Sequence, residues 1–195
     1  MRFADFHAGQ VIDAGRYPLD EAEILSFARQ WDPQWFHTDP AAAADGPYGG
    51  LIASGWQTCG VAMRLMVQAV LDGSETVGSP GLEQLHWYAP VRPGDTLQVQ
   101  GHVLEVRRSA SKPHIGVLRW RWTVLRQDGV LAMDLVATSL FDLRRGPQEG
   151  VAPLAPSLAV PAAITAQGGA AGATPGGTPS GAAVASGDDT PPAAW

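Results

Sequence analysis

The segment 54–71 constrains the fold more than any other part of the chain. It reads as one helix that its first residue, a serine, can cap and that Asp72-Gly73 can end. From position 59 onward its only strongly polar residues are Arg64 and Gln68. A helix that is apolar almost all round is stable in water only when other elements cover it. The segment therefore predicts a central helix that is buried on most sides.

The part of the chain after Gly81 alternates apolar and polar residues, as β-strands do. About four long antiparallel strands are predicted, over residues 82–91, 96–108, 115–127 and 130–145. Asp128-Gly129 predicts a tight turn between the last two. The alternation in the second strand changes phase at Leu104, which we attribute to a bulge near Gly101.

Two shorter helices are predicted ahead of segment 54–71, at residues 20–31 and 39–46. Helices followed by antiparallel strands indicate an α+β protein. A sheet wrapped around one apolar helix, which is the hotdog fold, is the economical way to bury such a helix. A sheet of this kind has an open edge, so we expect a homodimer or a higher even oligomer.

The composition of the chain changes near residue 147. Residues 1–146 contain every lysine, arginine, phenylalanine and tyrosine, and every tryptophan except Trp195. Residues 147–195 consist mostly of Ala, Gly, Pro, Ser and Thr, and they lack the large apolar side chains that offset the entropy cost of ordering. We therefore predict one folded domain over 1–146 and a disordered tail over 147–195.

Charge, cysteine content and hydropathy exclude several function classes. The formal net charge of −6 gives no reason to expect a nucleic-acid partner. The longest apolar run is too short to span a membrane, which takes about 20 residues. Cys59 is the one cysteine, so no internal disulfide can form, and we expect a cytoplasmic protein. The five histidines show no metal-binding spacing, so no metal is expected.

The stretch WDPQWFHTDP at 31–40 carries the first candidate chemistry. Pro33 and Pro40 restrict the backbone at its two ends, so a rigid loop can aim Asp32 and His37 at one point. A carboxylate beside an imidazole can move protons and position a water at neutral pH. The alternative is that His37 only hydrogen-bonds the loop.

The second candidate is the start of the apolar helix, at Ser54-Gly55. Helix N-termini present free backbone N–H groups and partial positive charge. A thioester or ketone oxygen could accept a hydrogen bond from the Gly55 N–H while negative charge develops on it. The alternative is a capped helix and nothing more.

Together the two stretches resemble the MaoC-like acyl dehydratases, which include the (R)-specific enoyl-CoA hydratases, over roughly residues 5–145. The resemblance implies that Asp32 and His37 form the catalytic pair and that the Gly55 N–H is the oxyanion donor. It implies the reversible addition of water to a 2-enoyl-CoA, giving a 3-hydroxyacyl-CoA, a reaction of fatty acid metabolism. No cofactor is implied, because coenzyme A enters as part of the substrate.

Several residues depart from the pattern of that family. Gln34 and Trp35 replace an asparagine and a proline, and Ser54 replaces a histidine. Met63 stands where some hydratases have a serine that supports the aspartate. Substrate-binding roles are predicted for three residues beside the catalytic pair and the helix start, namely Trp35, Ser54 and Trp56.

Two other functions stay open from the sequence. A hotdog acyl-CoA thioesterase is disfavoured because residues 56–71 contain no Asp or Glu, whereas those enzymes usually carry an acid on the central helix. A non-catalytic acyl-binding subunit is supported by the departures at Ser54 and Met63. The basic residues Arg107, Arg108 and Lys112 fit a solvated hairpin end better than a site for coenzyme A phosphates.

Overall fold

We describe residues 1–146 from a computed structural model of the chain. The predicted tail at 147–195 lies outside the described residues. The helices are α1 (Glu21–Trp31), α2 (Trp35–Thr38), α3 (Pro40–Ala44) and α4 (Gly55–Met66), the last continued by a π-helical turn (Val67–Leu71). The strands are β1 (Val11–Pro18), β2 (Thr76–Gly78), β3 (Leu82–Trp87), β4 (Thr96–Arg108), β5 (Ile115–Leu125) and β6 (Leu131–Asp142).

The strands form one antiparallel sheet in the order β1-β4-β5-β6, and both β2 and β3 pair with the far side of β6. This arrangement around α4 confirms the α+β hotdog prediction. Within residues 1–146 the sheet has six strands rather than about four, because the sequence does not predict β1 and β2. Strand β1 has a register shift between Asp13 and Gly15 and an exposed Val11, so its alternation was too weak to recognise.

Helix α4 packs one face against the sheet. Ala62 and Met66 are fully buried, and a Cβ on Gly101 of β4 would lie 2.9 Å from the Met66 Cε. The absence of a side chain at Gly101 therefore lets the helix approach the sheet. The predicted bulge lies three residues further on than expected, where Leu104 has no partner between the Val103 and Glu105 pairs.

The opposite face of α4 is exposed in the single chain. Trp56, Met63 and Val67 are 60%, 50% and 38% exposed, and their spacing places them along one side of the helix. We call these three residues the α4 stripe. The prediction that this helix is buried on most sides is therefore wrong for the isolated chain.

Two further predictions concern membranes and Cys59. None of the helices within residues 1–146 has the length and apolar character that a bilayer crossing requires. Cys59 is half-buried, and its Sγ lies 3.4 Å from the Met133 Sδ. Burial raises the pKa of the Cys59 thiol to about 11, so it is a neutral packing group rather than a nucleophile.

Candidate active site

The loop between Pro33 and Pro40 is partly helical. Asp32 caps the C-terminus of α1, and the single turn of α2 carries His37. The Asp39 carboxylate then accepts hydrogen bonds from two backbone N–H groups at the start of α3. The segment is thus held between two helix ends, as expected, although a helical turn replaces the predicted irregular loop.

The Asp32 and His37 side chains face each other. The His37 Nε2 lies 3.4 Å from the Asp32 Oδ2, and the His37 Nδ1 lies 2.8 Å from the Ile52 carbonyl oxygen. A carbonyl oxygen only accepts hydrogen bonds, so Nδ1 carries a proton. Nε2 and the Asp32 carboxylate would then be two acceptors, and they attract each other only with a proton or a water between them. The geometry therefore defines a place where a proton or a water is held.

Two side chains hold the Asp32 carboxylate in place. The Ser54 hydroxyl donates to Oδ2 at 2.7 Å, and the Gln34 amide donates to Oδ1 at 2.8 Å. Burial raises the pKa of this carboxyl, but the hydrogen bonds from Ser54 and Gln34 and the charge of nearby His37 outweigh it and hold the pKa below its usual value. Asp32 is therefore a carboxylate at neutral pH.

We expect Gln34→Ala to raise the pKa of Asp32, because the lost amide hydrogen bond stabilises the carboxylate more than the neutral acid. Carbon-detected NMR titration of the Asp32 carboxyl measures this pKa directly. Gln84→Ala, which removes an exposed glutamine from β3, is the matched control and should leave the pKa unchanged. If the pKa of Asp32 in Gln34→Ala equals or falls below the wild-type value, the Gln34 amide does not stabilise the carboxylate.

The start of α4 presents a free donor beside this pair. Within residues 1–146 the Gly55 N–H has no hydrogen-bond acceptor, whereas the Ser54 hydroxyl accepts from the Trp56 N–H at 3.2 Å. The Trp87 Nε1–H donates to the Gly55 carbonyl at 3.0 Å, and a Cβ at position 55 would lie 2.5 Å from the Trp87 ring. Glycine is thus required here by the packing of Trp87, a reason beyond the approach of a ligand.

Asp32, His37 and Gly55 all line one cavity of about 270 Å³. Its walls are largely apolar, with four aromatic rings and several small side chains. The lining also includes Gln34, Phe36, Tyr48, Ile52, Ala53, Trp56, Thr58, Trp87, Ala89, Pro90, Val91 and Ala132. A carboxylate, an imidazole and a backbone N–H therefore line one largely apolar cavity.

The structure separates the three predicted substrate-binding residues. Trp56 lies at the rim of the cavity. Ser54 is fully buried and binds Asp32 instead of lining the cavity. Trp35 packs against Gly46, where a Cβ would lie 2.6 Å from its ring, and it is not part of the cavity wall. The substrate-binding assignments of Ser54 and Trp35 therefore do not fit the geometry.

The structure also shows where the residues that depart from the family pattern lie. Met63, in place of the serine that supports the aspartate in some hydratases, is half-exposed and belongs to the α4 stripe. Ser54 and Gln34 supply the support for Asp32 in this chain. Arg107 forms an ion pair with Glu105 near the β4–β5 turn. The cavity-lining residues 89–91 precede the other end of β4, so this position fits the solvated-hairpin interpretation.

Several lining residues could not be predicted from the sequence. Tyr48, Thr58, Trp87 and Ala132 lie on a loop, a helix and two strands, and they meet only through the packing of α4 against the sheet. Tyr48 and Trp87 are ordinary aromatic residues in sequence. Ala132 shows no sequence signal at all. Their convergence is a property of the fold and not of a local motif.

Comparison with known proteins links the chain to one family. The family model described as a MaoC like domain matches residues 4–118. A solved structure of a MaoC-like dehydratase from Rhodospirillum rubrum is 34% identical, with a TM-score of 0.68 over 74% of this chain and 97% of that one. An (R)-hydratase from A. caviae is 26% identical, with a TM-score of 0.55 over 69% of this chain and 96% of that one.

One curated relative is named for the reaction that it catalyses. The 3-hydroxyacyl-thioester dehydratase Z of Mycobacterium tuberculosis is 34% identical over 90 residues, which is 45% of this chain and 60% of that protein. The matched stretch thus spans less than two thirds of that relative.

Proposed function

Because the chain belongs to the MaoC-like domain family, we propose that it is an acyl-thioester hydratase or dehydratase. It adds water reversibly to a 2-enoyl thioester and gives a 3-hydroxyacyl thioester, with coenzyme A as part of the substrate and no separate cofactor. The observation that carries the proposal is the convergence of the Asp32 carboxylate, the His37 Nε2 and the free Gly55 N–H on one cavity.

The Asp32–His37 pair handles the water and its protons. A water lies against Asp32 and His37, and the Asp32 carboxylate takes one of its protons as the water oxygen bonds to C3. The low pKa of Asp32 keeps the carboxylate ionised and ready to accept. His37, hydrogen-bonded through Nδ1 to Ile52, presents Nε2 to the same place.

The Gly55 N–H stabilises the charge that results. As the C3–O bond forms, the electrons of the double bond move through C2 onto the thioester oxygen. That oxygen accepts a hydrogen bond from the Gly55 N–H at the positive end of α4. Asp32 and His37 thus serve the water, and the Gly55 N–H serves the oxyanion.

Two further proton transfers complete the addition. The proton that Asp32 took from the water crosses to His37 Nε2, over the 3.4 Å that separates the two side chains. His37 then gives this proton to C2, and the electrons return from the thioester oxygen to restore the carbonyl. The pair returns to its starting state, and the product has gained one hydroxyl at C3 and one hydrogen at C2.

The structure bears on the two alternative functions. Asp32 is the one carboxylate among the described residues that line the cavity, so a hydrolase would have to use the same pair. The departures at Ser54 and Met63 no longer favour a non-catalytic subunit. Ser54 binds Asp32 and Met63 lies outside the cavity, so neither change removes a group from the site.

The test is turnover of crotonyl-CoA and of longer 2-enoyl-CoAs, followed through the enoyl absorbance and a thiol reagent together. Loss of the enoyl band without free thiol is hydration, and it supports the proposal. Release of free thiol indicates hydrolysis. The absence of both, with every chain length, would make the protein a binder and overturn the proposed reaction.

We also propose that the protein is a homodimer, joined along β3 and the α4 stripe. Within the described chain β3 pairs only with β6, so its other side has unpaired backbone groups. The Trp56 and Trp87 rings are 5.6 Å apart, which makes this sheet edge continuous with the exposed helix face. A second copy would cover both the apolar side chains and the open edge.

We expect Met63→Lys to convert the dimer to a monomer at micromolar concentration, because the lysine would bury an unpaired charge in the interface. Light scattering would show a fall from twice the 20.5 kDa chain mass to once. Val11→Lys on β1, at the other edge of the sheet, is the matched control and should remain a dimer. A monomeric wild type, or dissociation by Val11→Lys and not by Met63→Lys, contradicts the proposed interface.

A further inference from the structure

The inner end of the cavity is closed by core residues. Ala132, Thr58 and Val91 line it and are at most 3% exposed, whereas Trp56 and Gln34 lie at its exposed rim. Ala132 and Val91 also belong to the apolar core of the domain. An acyl group that enters past Trp56 therefore extends toward buried residues of the core.

A bulge in β6 places Ala132 at this wall. Met133 pairs with Val124 and Leu131 pairs with Leu125, so Ala132 is an extra residue with no partner on β5. Its carbonyl accepts the Tyr88 N–H at 2.8 Å, which ties the bulge to the chain leaving β3. Bulges commonly re-aim a side chain beside an active site. Ala132 lines the cavity, whereas its fully buried neighbour Met133 does not.

The volume of the cavity limits the size of the acyl group. An engineered protein cavity of about 150 Å³ holds benzene, which has six carbons. By that measure, 270 Å³ has room for about ten non-hydrogen atoms. The thioester carbonyl and the attacking water take about three of these places, which leaves about seven carbons of chain.

We propose that the cavity selects compact acyl groups of about eight carbons or fewer, and that Ala132 sets this limit. The proposal rests on the proposed function, since it names the substrate class of that same site. The methyl group of Ala132 is the smallest side chain that the wall can carry, so any larger residue there shortens the cavity. Two other buried lining residues, Thr58 and Val91, are also small.

The experiment measures kcat/KM for 2-enoyl-CoAs with four, six, eight, ten and twelve carbons. For the wild type we expect a fall of at least tenfold between eight and twelve carbons. Ala132→Leu should lower the ratio of the eight-carbon to the four-carbon value at least tenfold. Ala132→Gly, which adds no atom to the wall, is the control and should not lower that ratio. Val91→Ala enlarges the cavity and should raise the ratio of the eight-carbon to the four-carbon value. This variant tests the size limit even if Ala132→Leu does not fold.

Binding separates this proposal from the proposed reaction. Calorimetry with saturated butanoyl-, octanoyl- and dodecanoyl-CoA reports the size limit without turnover. Weak binding of the twelve-carbon ligand relative to the four- and eight-carbon ligands supports the limit, even for a protein that does not hydrate. Equal kcat/KM or equal affinity across the series, or an unchanged ratio in both Ala132→Leu and Val91→Ala, would overturn it.

Discussion

Asp32→Asn and His37→Ala should each lower the rate of enoyl-thioester hydration by about 10²–10⁴-fold, the usual contribution of a general acid–base group. The asparagine keeps the shape of Asp32 and an acceptor for the Ser54 hydroxyl, but it removes the charge that takes the proton from water. The alanine removes the imidazole that presents Nε2 at 3.4 Å from Asp32. Turnover and thermal melting are to be measured on both variants and on the double variant.

The double variant distinguishes a shared role from two separate ones. If both side chains act on one water, it should be scarcely slower than the slower single variant, because groups that act as a unit are not additive. His102→Ala is the matched control, since it removes another histidine that is hydrogen-bonded, to Thr123 at 3.2 Å, and its rate should stay near that of wild type. Hydration within about tenfold of wild type in either single variant excludes that residue from the chemistry.

Gly55→Ala should lower hydration by about 10²–10³-fold, the cost of losing one oxyanion donor. The new methyl would lie 2.5 Å from the Trp87 ring, closer than packed atoms allow, so the first turn of α4 or the indole must move. Either movement strains the 3.0 Å hydrogen bond from Trp87 to the Gly55 carbonyl. The N–H then no longer points to the place where the thioester oxygen lies. The effect should fall mainly on kcat, because the donor acts in the transition state.

A second crowded glycine supplies the control for Gly55→Ala. A Cβ at Gly101 would lie 2.9 Å from the Met66 Cε, near the other end of α4 and against the tip of a flexible side chain. Gly101→Ala should therefore cost about 1–3 kcal/mol of stability from overpacking while the rate per folded molecule is retained. Equal losses of rate in the two variants would mean that Gly55→Ala acts through the fold and not through its N–H.

The sequence predicts the central helix, the main strands and the three candidate site residues because their signals are local. Asp32 and His37 lie within one short stretch, and Gly55 follows the cap of a conspicuous helix. The walls of the cavity could not be predicted, because Trp87 and Ala132 reach the cavity through strand pairing and a bulge. Strand β1 was missed for a related reason. Its register shift interrupts the alternation by which strands are recognised.

Ser54 and Gln34 show a different limit of sequence reasoning. Both residues depart from the family pattern, and the sequence predicts a substrate-binding role for Ser54. A buried hydroxyl binds whichever partner the fold brings near, and here that partner is Asp32, 22 residues away in the chain. The position of Ser54 in a motif does not reveal the group that its hydroxyl binds.

The location of Trp56 connects two properties that are usually discussed separately. Its indole forms part of the cavity rim and also begins the α4 stripe that a second copy would cover. A thioester in the cavity and a neighbouring subunit would therefore contact the same side chain. Thermodynamic reciprocity requires that, if substrate strengthens subunit association by some factor, association strengthens substrate binding by the same factor. Dilution of such an enzyme would lower its affinity for substrate, and saturation with substrate would protect the dimer against dissociation.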